Sequence, residues 1–349
     1  MPLPPIPTPP QALSKPSPYS DDQLRLAARL YYVEGLDQTE VARFVKVSQA
    51  KISRLLALAR ERGIVRISVA EYEPRNEPLE QQIRQRFRLH SVAVIKTVER
   101  ATVEDARRLV GHFGAPFVAS LIQVNSVVAI AGGRTIRELV QYLQEDRKPR
   151  LTVVQAMGSI DSTVGPVDAL ELGHTLARRW GGSFYTLNSP AFVTDRKTRD
   201  SLLALAQIRS VWQHLGQAGV ALVGIGTPEN SVFVERGVLS AADLTKLKER
   251  GAVGEICGRF FDRNGRECDS PWRDRVMSIG LEQLHEVPQV VGIVAGTDRS
   301  AAIAAAVRGG LLKSLVIDEA GGAALLAETE PPQARVRPGR KGEFKGPSG

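Results

Sequence analysis

Apolar residues in the first quarter of the chain recur with the spacing of one face of a helix. The spacing is i, i+3, i+4 and i+7, and it is carried by Ile52, Leu55, Leu56 and Ala59. It predicts an amphipathic helix whose apolar stripe packs against a core. The hydroxyl of Ser48 can cap the first turn of this helix, and Gly63 can end it.

A shorter helix is predicted just before it, joined by a turn at residues 45–47. Asp37 can cap this helix, and Glu40 follows three residues later, which is the spacing of a capping box. A first helix over residues 20–35 is expected to add to the core through Leu24, Ala27, Ala28, Tyr31 and Tyr32. Helices in this order are typical of a helix-turn-helix module, whose last helix enters the major groove of DNA.

The other side of the last helix is polar and basic, as base edges and phosphates require. We expect the DNA contacts to come from Thr39, Ser48, Gln49, Ala50, Lys51, Ser53 and Arg54. Over residues 46–66, six basic residues stand against Glu61 alone, which suits a phosphate footprint. A solvated helical face, or a module that contacts only protein, is the alternative interpretation.

Alternating residues at 64–69 predict a short strand pair, the wing of a winged helix-turn-helix. The expected all-α winged DNA-binding domain spans residues 20–72. A helix near 76–88 is expected to serve as a linker over 73–90. Proline-rich residues 1–19 predict a disordered arm, and the Pro/Gly-rich, basic residues 329–349 predict a disordered tail.

After residue 90, apolar runs of strand length alternate with amphipathic helical patterns. The expected strands are 91–95, 126–131, 151–156, 183–187, 218–225, 254–261, 290–295 and 314–317. The expected helices lie near 103–122, 134–145, 167–180, 197–206, 240–250, 299–309 and 319–327. This alternation predicts an α/β domain over 91–328, with a parallel sheet and helices on both of its faces.

Composition narrows the class of protein only slightly. A chain of 349 residues suggests two domains, and a net charge of +8 is compatible with nucleic acid. Cys257 and Cys268 form no CxxC pair, and the five histidines are scattered, so we expect no metal and no cofactor. Without a long apolar run or a signal peptide, a soluble cytoplasmic protein with no membrane partner is expected.

Four glycine-rich loops follow predicted strands, and ligands of a parallel sheet bind at the carboxyl ends of its strands. Small residues let a backbone approach an anion, and a following helix offers it unpaired N–H groups. The candidate ligand-binding residues in or beside these loops are Gly132, Gly133, Arg134, Thr135, Gln155, Gly224, Gly226 and Arg299. None of the loops matches a nucleotide-binding motif, and ordinary turns are the alternative.

Glu255 lies inside an otherwise apolar predicted strand. A buried carboxylate needs hydrogen-bond donors, and the hydroxyl groups of a sugar are good ones. Glu255 is therefore a further candidate for ligand binding, with a salt bridge to a neighbour as the alternative. The sequence contains no nucleophile elbow of the Ser/His/Asp type.

Several motifs resemble those of the SorC family of bacterial sugar-responsive transcription regulators. QTEVA at 38–42 and SQAKISRLL at 48–56 resemble the DNA-binding end of that family. The motifs that resemble the sugar-binding part of the family are AGGRT at 131–135, GIG at 224–226, GAVGEICGRFFD at 251–262 and GGL at 309–311. The resemblance covers roughly residues 20–327 and is specific at the level of the family.

The resemblance implies a second domain that folds like phosphosugar isomerases and deaminases but acts as a sensor. It implies a phosphorylated sugar as effector, an operator affinity that changes on binding, and a tetrameric assembly. By position, the first anion-binding loop would hold Gly133, Arg134 and Thr135. Gly226 would lie in the second loop and Glu255 on the sugar hydroxyls, while Arg299 stands where many members have a lysine near the phosphate.

Together these observations predict a regulator that binds double-stranded operator DNA and a phosphorylated sugar, as a homo-oligomer and without enzymatic activity. Two other functions remain open. One is an enzyme of the phosphosugar isomerase or deaminase type, with Glu255 and Asp298 as its acid–base candidates. The other is an architectural DNA-binding protein whose second domain only oligomerises.

Overall fold

The computed structural model describes residues 19–143 and 151–328. The predicted tail, almost all of the predicted arm and the end of the helix expected near 134–145 lie outside these ranges. The chain divides into two compact units, Met1–Tyr72 and Glu73–Gly349. Each unit has its own hydrophobic core.

The described part of the first unit is helical. It contains α1 (Asp21–Ala28), a π-helical turn (Arg29–Val33), α2 (Gln38–Val45) and α3 (Gln49–Glu61). Its core includes the predicted stripe of α3, since Ile52, Leu55, Leu56 and Ala59 are all buried. The helix-turn-helix predicted from the spacing of apolar residues is confirmed, although Tyr32, expected in the core, is 39% exposed.

The capping box at the start of α2 is also confirmed. Oδ1 of Asp37 accepts hydrogen bonds from the backbone N–H groups of Thr39 at 2.7 Å and Glu40 at 2.9 Å. Ser48 holds the N-cap position of α3, but its side chain accepts no capping hydrogen bond. Its backbone carbonyl accepts the first helical hydrogen bonds, from Lys51 and Ile52, and the residue is exposed. The prediction of a capping hydroxyl was therefore wrong.

The predicted wing is also wrong, because residues 64–69 form no strand. Ile64 and Val65 pack against the core of the first unit, and the N–H of Val65 donates to the carbonyl of Ala59 at 3.1 Å. Ile67 and Val69 are exposed. Alternation alone does not make a strand where no second strand satisfies its backbone groups.

The second unit is built on a seven-stranded sheet in which every pair of neighbours is parallel. Its first five strands are β1 (Ser91–Ile95), β2 (Val127–Ile130), β3 (Thr152–Gln155), β4 (Ser183–Tyr185) and β5 (Val220–Val223). A separate antiparallel pair follows, β6 (Ala252–Ile256) and β7 (Arg259–Asp262), and then β8 (Gln289–Ile293) and β9 (Ser314–Asp318) complete the sheet. The order is β1-β9-β8-β5-β2-β3-β4.

This confirms the predicted parallel sheet, with one strand misread. The run 254–261 is a tight hairpin between β6 and β7 and not a single strand. Cys257 and Gly258 form its turn with φ of 53° and 77°. Two successive residues with positive φ are characteristic of the two-residue hairpin turn. The continuous apolar sequence gives no sign of this turn, so the run was predicted as one strand.

The helices of the second unit connect the strands. They are α4 (Glu77–Phe87), α5 (Val103–Leu121), α6 (Arg134–Tyr142), α7 (Ala169–Arg179), α8 (Arg196–Ala204), α9 (Ala206–Leu215), α10 (Val232–Glu235), α11 (Ala241–Glu249), α12 (Leu281–Glu286), α13 (Ser300–Arg308) and α14 (Glu319–Ala327). The sequence did not predict α9, α10 or α12. The segment expected as a linker helix, α4, packs into this unit, with Ile83 fully buried in its core. None of the helices in the described ranges combines the length and the apolar composition needed to cross a bilayer.

The topology of the sheet marks where a ligand can bind. β2 and β5 are neighbours, yet the chain leaves β2 toward β3 on one side and leaves β5 toward β8 on the other. Right-handed crossovers in opposite directions place helices on both faces of the sheet. They also open a crevice outside the carboxyl ends of the two strands at this switch point. The loops after Ile130 and Val223 border that crevice.

Candidate functional site

A cavity of about 200 Å³ lies at the switch point. It is lined by the loops after β2, β3, β5 and β8, by the turn between β6 and β7, and by residues of α5, α6 and α10. All of the predicted ligand-binding residues except Gln155 line it. The strand-to-helix loops singled out in the sequence therefore converge on one site.

Gln155 is not among the residues that line the cavity. It is the last residue of β3 and is 1% exposed, and its Oε1 accepts a hydrogen bond from the N–H of Leu187 at 3.0 Å. The side chain thus satisfies a backbone group in the loop after β4. This contact gives the buried amide oxygen a partner, and since Gln155 does not line the cavity, we replace the ligand-binding role predicted for it with a structural one.

The start of α6 is arranged to receive an anion. Gly133 is its N-cap residue with φ of 147°, and no side chain caps the first-turn N–H groups. A Cβ atom on Gly132 would lie 2.7 Å from the carbonyl oxygen of Val167, so this close approach requires glycine. Thr135 is 9% exposed and faces the same cavity. The uncapped N–H groups and the Thr135 hydroxyl together form a site of the kind that binds phosphate.

Arginine side chains add positive charge to the cavity. Arg134, at the start of α6, forms an ion pair with Glu235 of α10. Nη1 of Arg299 lies 2.5 Å from Oδ1 of Asp298 and donates to the carbonyl of Ala295 at 3.1 Å. Both predicted arginines therefore line the cavity, and each already has a carboxylate partner.

Arg107 is a third arginine of the cavity, and the sequence reasoning missed it. Burial lowers its pKa, and the nearby positive charges of Arg134 and Arg299 lower it further. Arg107 lies on the same face of α5 as the buried residues Gly111 and Gly114, at i+4 and i+7. A basic residue on a buried helical stripe is the sequence signal for Arg107, whereas the predicted arginines, Arg134 and Arg299, lie in or beside loops after strands.

Glu255 is 8% exposed at the end of β6 and lines the cavity. Its Oε1 accepts a hydrogen bond from the N–H of Gly258 at 2.6 Å, and the hydroxyl of Ser231 donates to the same carboxylate. Burial raises the pKa of Glu255, and these two hydrogen bonds oppose that rise. The partners of Glu255 in the described structure are thus neutral donors, and the salt-bridge alternative is wrong.

A short segment around α10 borders the cavity and is joined to helix α6 and to the loops after β3 and β8. Nδ2 of Asn230 donates to Asp298 at 2.7 Å, after β8. The ion pair of Glu235 reaches α6, and Nη1 of Arg236 lies 3.0 Å from Oδ2 of Asp161, after β3. These contacts join a four-residue helix to the surrounding loops through polar interactions that another charged group can replace.

The first unit presents the predicted DNA-contacting surface. All seven predicted residues are exposed on α2, on α3 or at the N-cap of α3, while the opposite side of α3 is buried. The side chains of Lys51 and Arg54 make no ion pair or hydrogen bond with the residues that the structure describes. Among the described residues, nothing therefore occupies their cationic groups, and these groups can contact a nucleic acid.

No set of three or more His, Cys, Asp or Glu residues within 19–143 and 151–328 is arranged to hold a metal ion. Cys257 and Cys268 are both free and buried. The chemistry of the cavity therefore comes from guanidinium groups, uncapped N–H groups, hydroxyls and carboxylates. Such a set can bind a polar anion that also carries hydroxyl groups.

Comparison with known proteins identifies relatives of both units. Residues 75–327 match the family model Sugar-bind, described as "Putative sugar-binding domain". The chain is 29% identical to the transcriptional regulator YjhU of Escherichia coli K12, over 88% of this chain and 95% of that protein. It is 28% identical to the sorbitol operon regulator of Klebsiella pneumoniae, over 85% of this chain and 96% of that protein.

A solved structure shows the same arrangement of elements. The full-length sorbitol operon regulator SorC of Klebsiella pneumoniae superposes with a TM-score of 0.67 at 26% sequence identity. The match covers 88% of this chain and 100% of that one. Residues 73–349 make up less than 88% of the chain, so the match extends into the helical first unit.

The buried carboxylate of Glu255 gives a pH-dependent prediction. The unfolded chain leaves Glu255 near its ordinary pKa of about 4.3, and burial raises the pKa in the folded state. Its contribution to the free energy of unfolding is therefore full below about pH 4.3 and is lost as the pH rises through the raised value. Glu255→Gln is neutral and avoids this loss, so its stability relative to wild type should increase with pH across that window.

Urea unfolding followed by tryptophan fluorescence measures this difference, because Trp180, Trp212 and Trp272 all lie in the second unit. Glu282→Gln, at an exposed position of α12, is the control for the loss of a surface charge. A stability difference between Glu255→Gln and wild type that stays constant with pH would contradict this assignment.

Proposed function

This chain belongs to the SorC family of bacterial sugar-responsive transcriptional regulators, and on that basis we propose how it works. A sugar phosphate binds in the switch-point cavity and changes the affinity of α3 for operator DNA. The observation that carries this proposal is the cationic lining of the cavity beside the uncapped start of α6. We further propose that the protein acts in the cytoplasm as a homo-oligomer, a tetramer, so that several α3 helices engage one operator.

On the DNA side, we propose that α3 lies in the major groove. Gln49 near its start suits a base edge, and Lys51 and Arg54 suit a guanine edge or phosphates. Exposure of all three side chains supports this arrangement. Thr39, Ser48, Ala50 and Ser53 flank them and complete the contact surface.

On the effector side, we propose that the phosphate group binds at the first turn of α6. The N–H groups of that turn and the Thr135 hydroxyl would hold it, with Arg134 and Arg299 supplying charge. Gly224 and Gly226 leave room for the sugar beside the adjacent loop. Hydroxyl groups of the sugar would donate to Glu255, whose Oε2 lies 3.0 Å from where a Cβ atom of Gly226 would stand.

An effector changes DNA affinity only if it binds two conformations unequally. The ion pair between Arg134 and Glu235 provides a difference of this kind. A phosphate at the start of α6 competes with Glu235 for the guanidinium of Arg134. Release of Glu235 would free one of the contacts that hold α10, so the loops around the cavity would differ between the two states.

We propose binding without catalysis, because the relatives of this chain are named transcriptional regulators. Of the two acid–base candidates, Asp298 is already paired with Arg299 and accepts from Asn230. General acid–base catalysis requires a positioned group that is free to exchange a proton with the substrate. Product formation from a sugar phosphate during a binding assay would favour the enzyme instead.

Arg54→Ala tests the DNA-binding side. The probe is a duplex that the wild-type protein selects from a random-sequence pool, and the measurement is fluorescence anisotropy at fixed salt. Loss of a bidentate base contact should weaken binding by about 5- to 150-fold. Arg178→Ala removes one exposed positive charge from α7 in the second unit and should bind like wild type. Equal affinities for the Arg54→Ala and wild-type proteins would refute the contact.

A panel of sugar phosphates and the corresponding unphosphorylated sugars tests the effector side by thermal unfolding of the full chain. A sugar phosphate at 100 times its Kd should add about 2.7 kcal/mol of stability, and the parent sugar should add less. Glu235→Gln frees Arg134 from its competitor and should increase the stabilisation by that sugar phosphate. No response to any compound would favour an architectural DNA-binding protein.

A further inference from the structure

Four arginines line the switch-point cavity, and they differ in their partners. Arg134 is paired with Glu235, Arg299 with Asp298, and Arg236 with Asp161. The side chain of Arg107 forms no ion pair and no hydrogen bond with the described part of the chain. It is thus the one member of this group whose charge is not matched by a carboxylate within 19–143 and 151–328.

The carboxylates nearest to Arg107 are committed elsewhere. Asp298 and Glu104 both act on Arg107 electrostatically. Asp298, however, is paired with Arg299, and Oε1 of Glu104 lies 2.8 Å from Nη2 of Arg108. Arg107 instead lines the same cavity as Arg134 and Arg299, and their positive charges lower its pKa.

This arrangement has an energetic cost in the ligand-free protein. Arginine remains charged at every ordinary pH, so Arg107 cannot relieve the repulsion by losing a proton. A partly buried charge without a partner is unfavourable, and an arriving anion recovers that free energy. Because Arg107 lies on the inward face of α5 and lines the cavity, an anion bound in the cavity can become its partner.

We infer that Arg107 contacts the anionic group of the effector and selects a phosphate dianion over uncharged sugars. The inference rests on the proposed function, since it assigns a specificity residue to the same cavity. Arg107 adds a positive charge that no ion pair with a described carboxylate offsets, unlike those of Arg134 and Arg299. Asp168 and Glu255 also line the cavity and have no ion pair among the described residues. Their carboxylates would accept hydrogen bonds from the hydroxyl groups of the sugar.

The test uses inorganic phosphate as probe and isothermal titration calorimetry on the full chain at neutral pH. Arg107→Gln should raise the Kd for phosphate roughly tenfold or more, as expected for a lost charged hydrogen bond. Arg107→Lys keeps the charge without the planar fork and should give a smaller increase. Arg108→Gln is the matched control, because it removes the neighbouring, exposed and paired arginine, and it should stay within about twofold of wild type.

A second readout separates a ligand-binding role from a purely structural one. Removing an unmatched charge should leave unchanged or raise the melting temperature of ligand-free Arg107→Gln, while phosphate stabilises this variant less than wild type. If Arg107→Gln fails to fold, the charge-preserving Arg107→Lys variant decides by the same two measurements. A residue that only supports the fold would lower the ligand-free melting temperature and leave the Kd for phosphate unchanged, and this pattern overturns the inference.

The remaining outcomes separate this inference from the proposed function. Wild-type binding of phosphate with an unaltered Kd in Arg107→Gln rejects the role of Arg107 and leaves the sugar phosphate proposal standing. Equal losses in Arg107→Gln and Arg108→Gln also reject it, since they indicate a general effect of charge. A wild-type protein that binds neither phosphate nor any sugar phosphate overturns both.

Discussion

The parallel direction of all seven strands of the large sheet is the constraint on which the candidate site depends. It brings the carboxyl ends of the strands to one edge, and the divergence of the crossovers after β2 and β5 opens that edge. The glycine-rich loops that follow Ile130 and Val223 therefore meet, although some 90 residues separate them in the chain. Gly132 lets the first loop pass close to Val167, which leaves the N–H groups at the start of α6 facing the cavity.

Charge distribution gives this cavity its proposed chemistry. Arg134 is paired with Glu235 of α10 and Arg299 with the adjacent Asp298, so carboxylates of the protein occupy two of the positive groups that could bind an anion. Arg134 and its partner Glu235 join α6 to α10, and in the proposed mechanism exchange of that partner for a phosphate would connect binding to movement of the segment around α10. A regulator needs this linkage because an effector that binds both conformations equally well does not change the affinity for DNA.

Local patterns predicted much of this molecule, and their failures have physical causes. The apolar stripe of α3 and the capping box at Asp37 depend on neighbours in the chain, so spacing alone identified them. The wing failed because a strand depends on a partner that periodicity cannot supply. Gln155 was predicted to line the cavity and Arg107 was not, for a similar reason. Tertiary packing decides which side of an element faces a cavity. Burial of Gln155 against Leu187, and of the α5 face that carries Arg107, is not encoded by a short motif.

The most direct test of the central claim is a linkage measurement on the full chain. A sugar phosphate that stabilises the protein is titrated in the absence and presence of a selected operator duplex, and operator affinity is measured with and without that compound. The account predicts that each ligand changes the dissociation constant of the other by the same factor, about 5- to 150-fold. Two affinities that remain independent would show that the two units do not communicate, and the regulatory mechanism proposed for this chain would be contradicted.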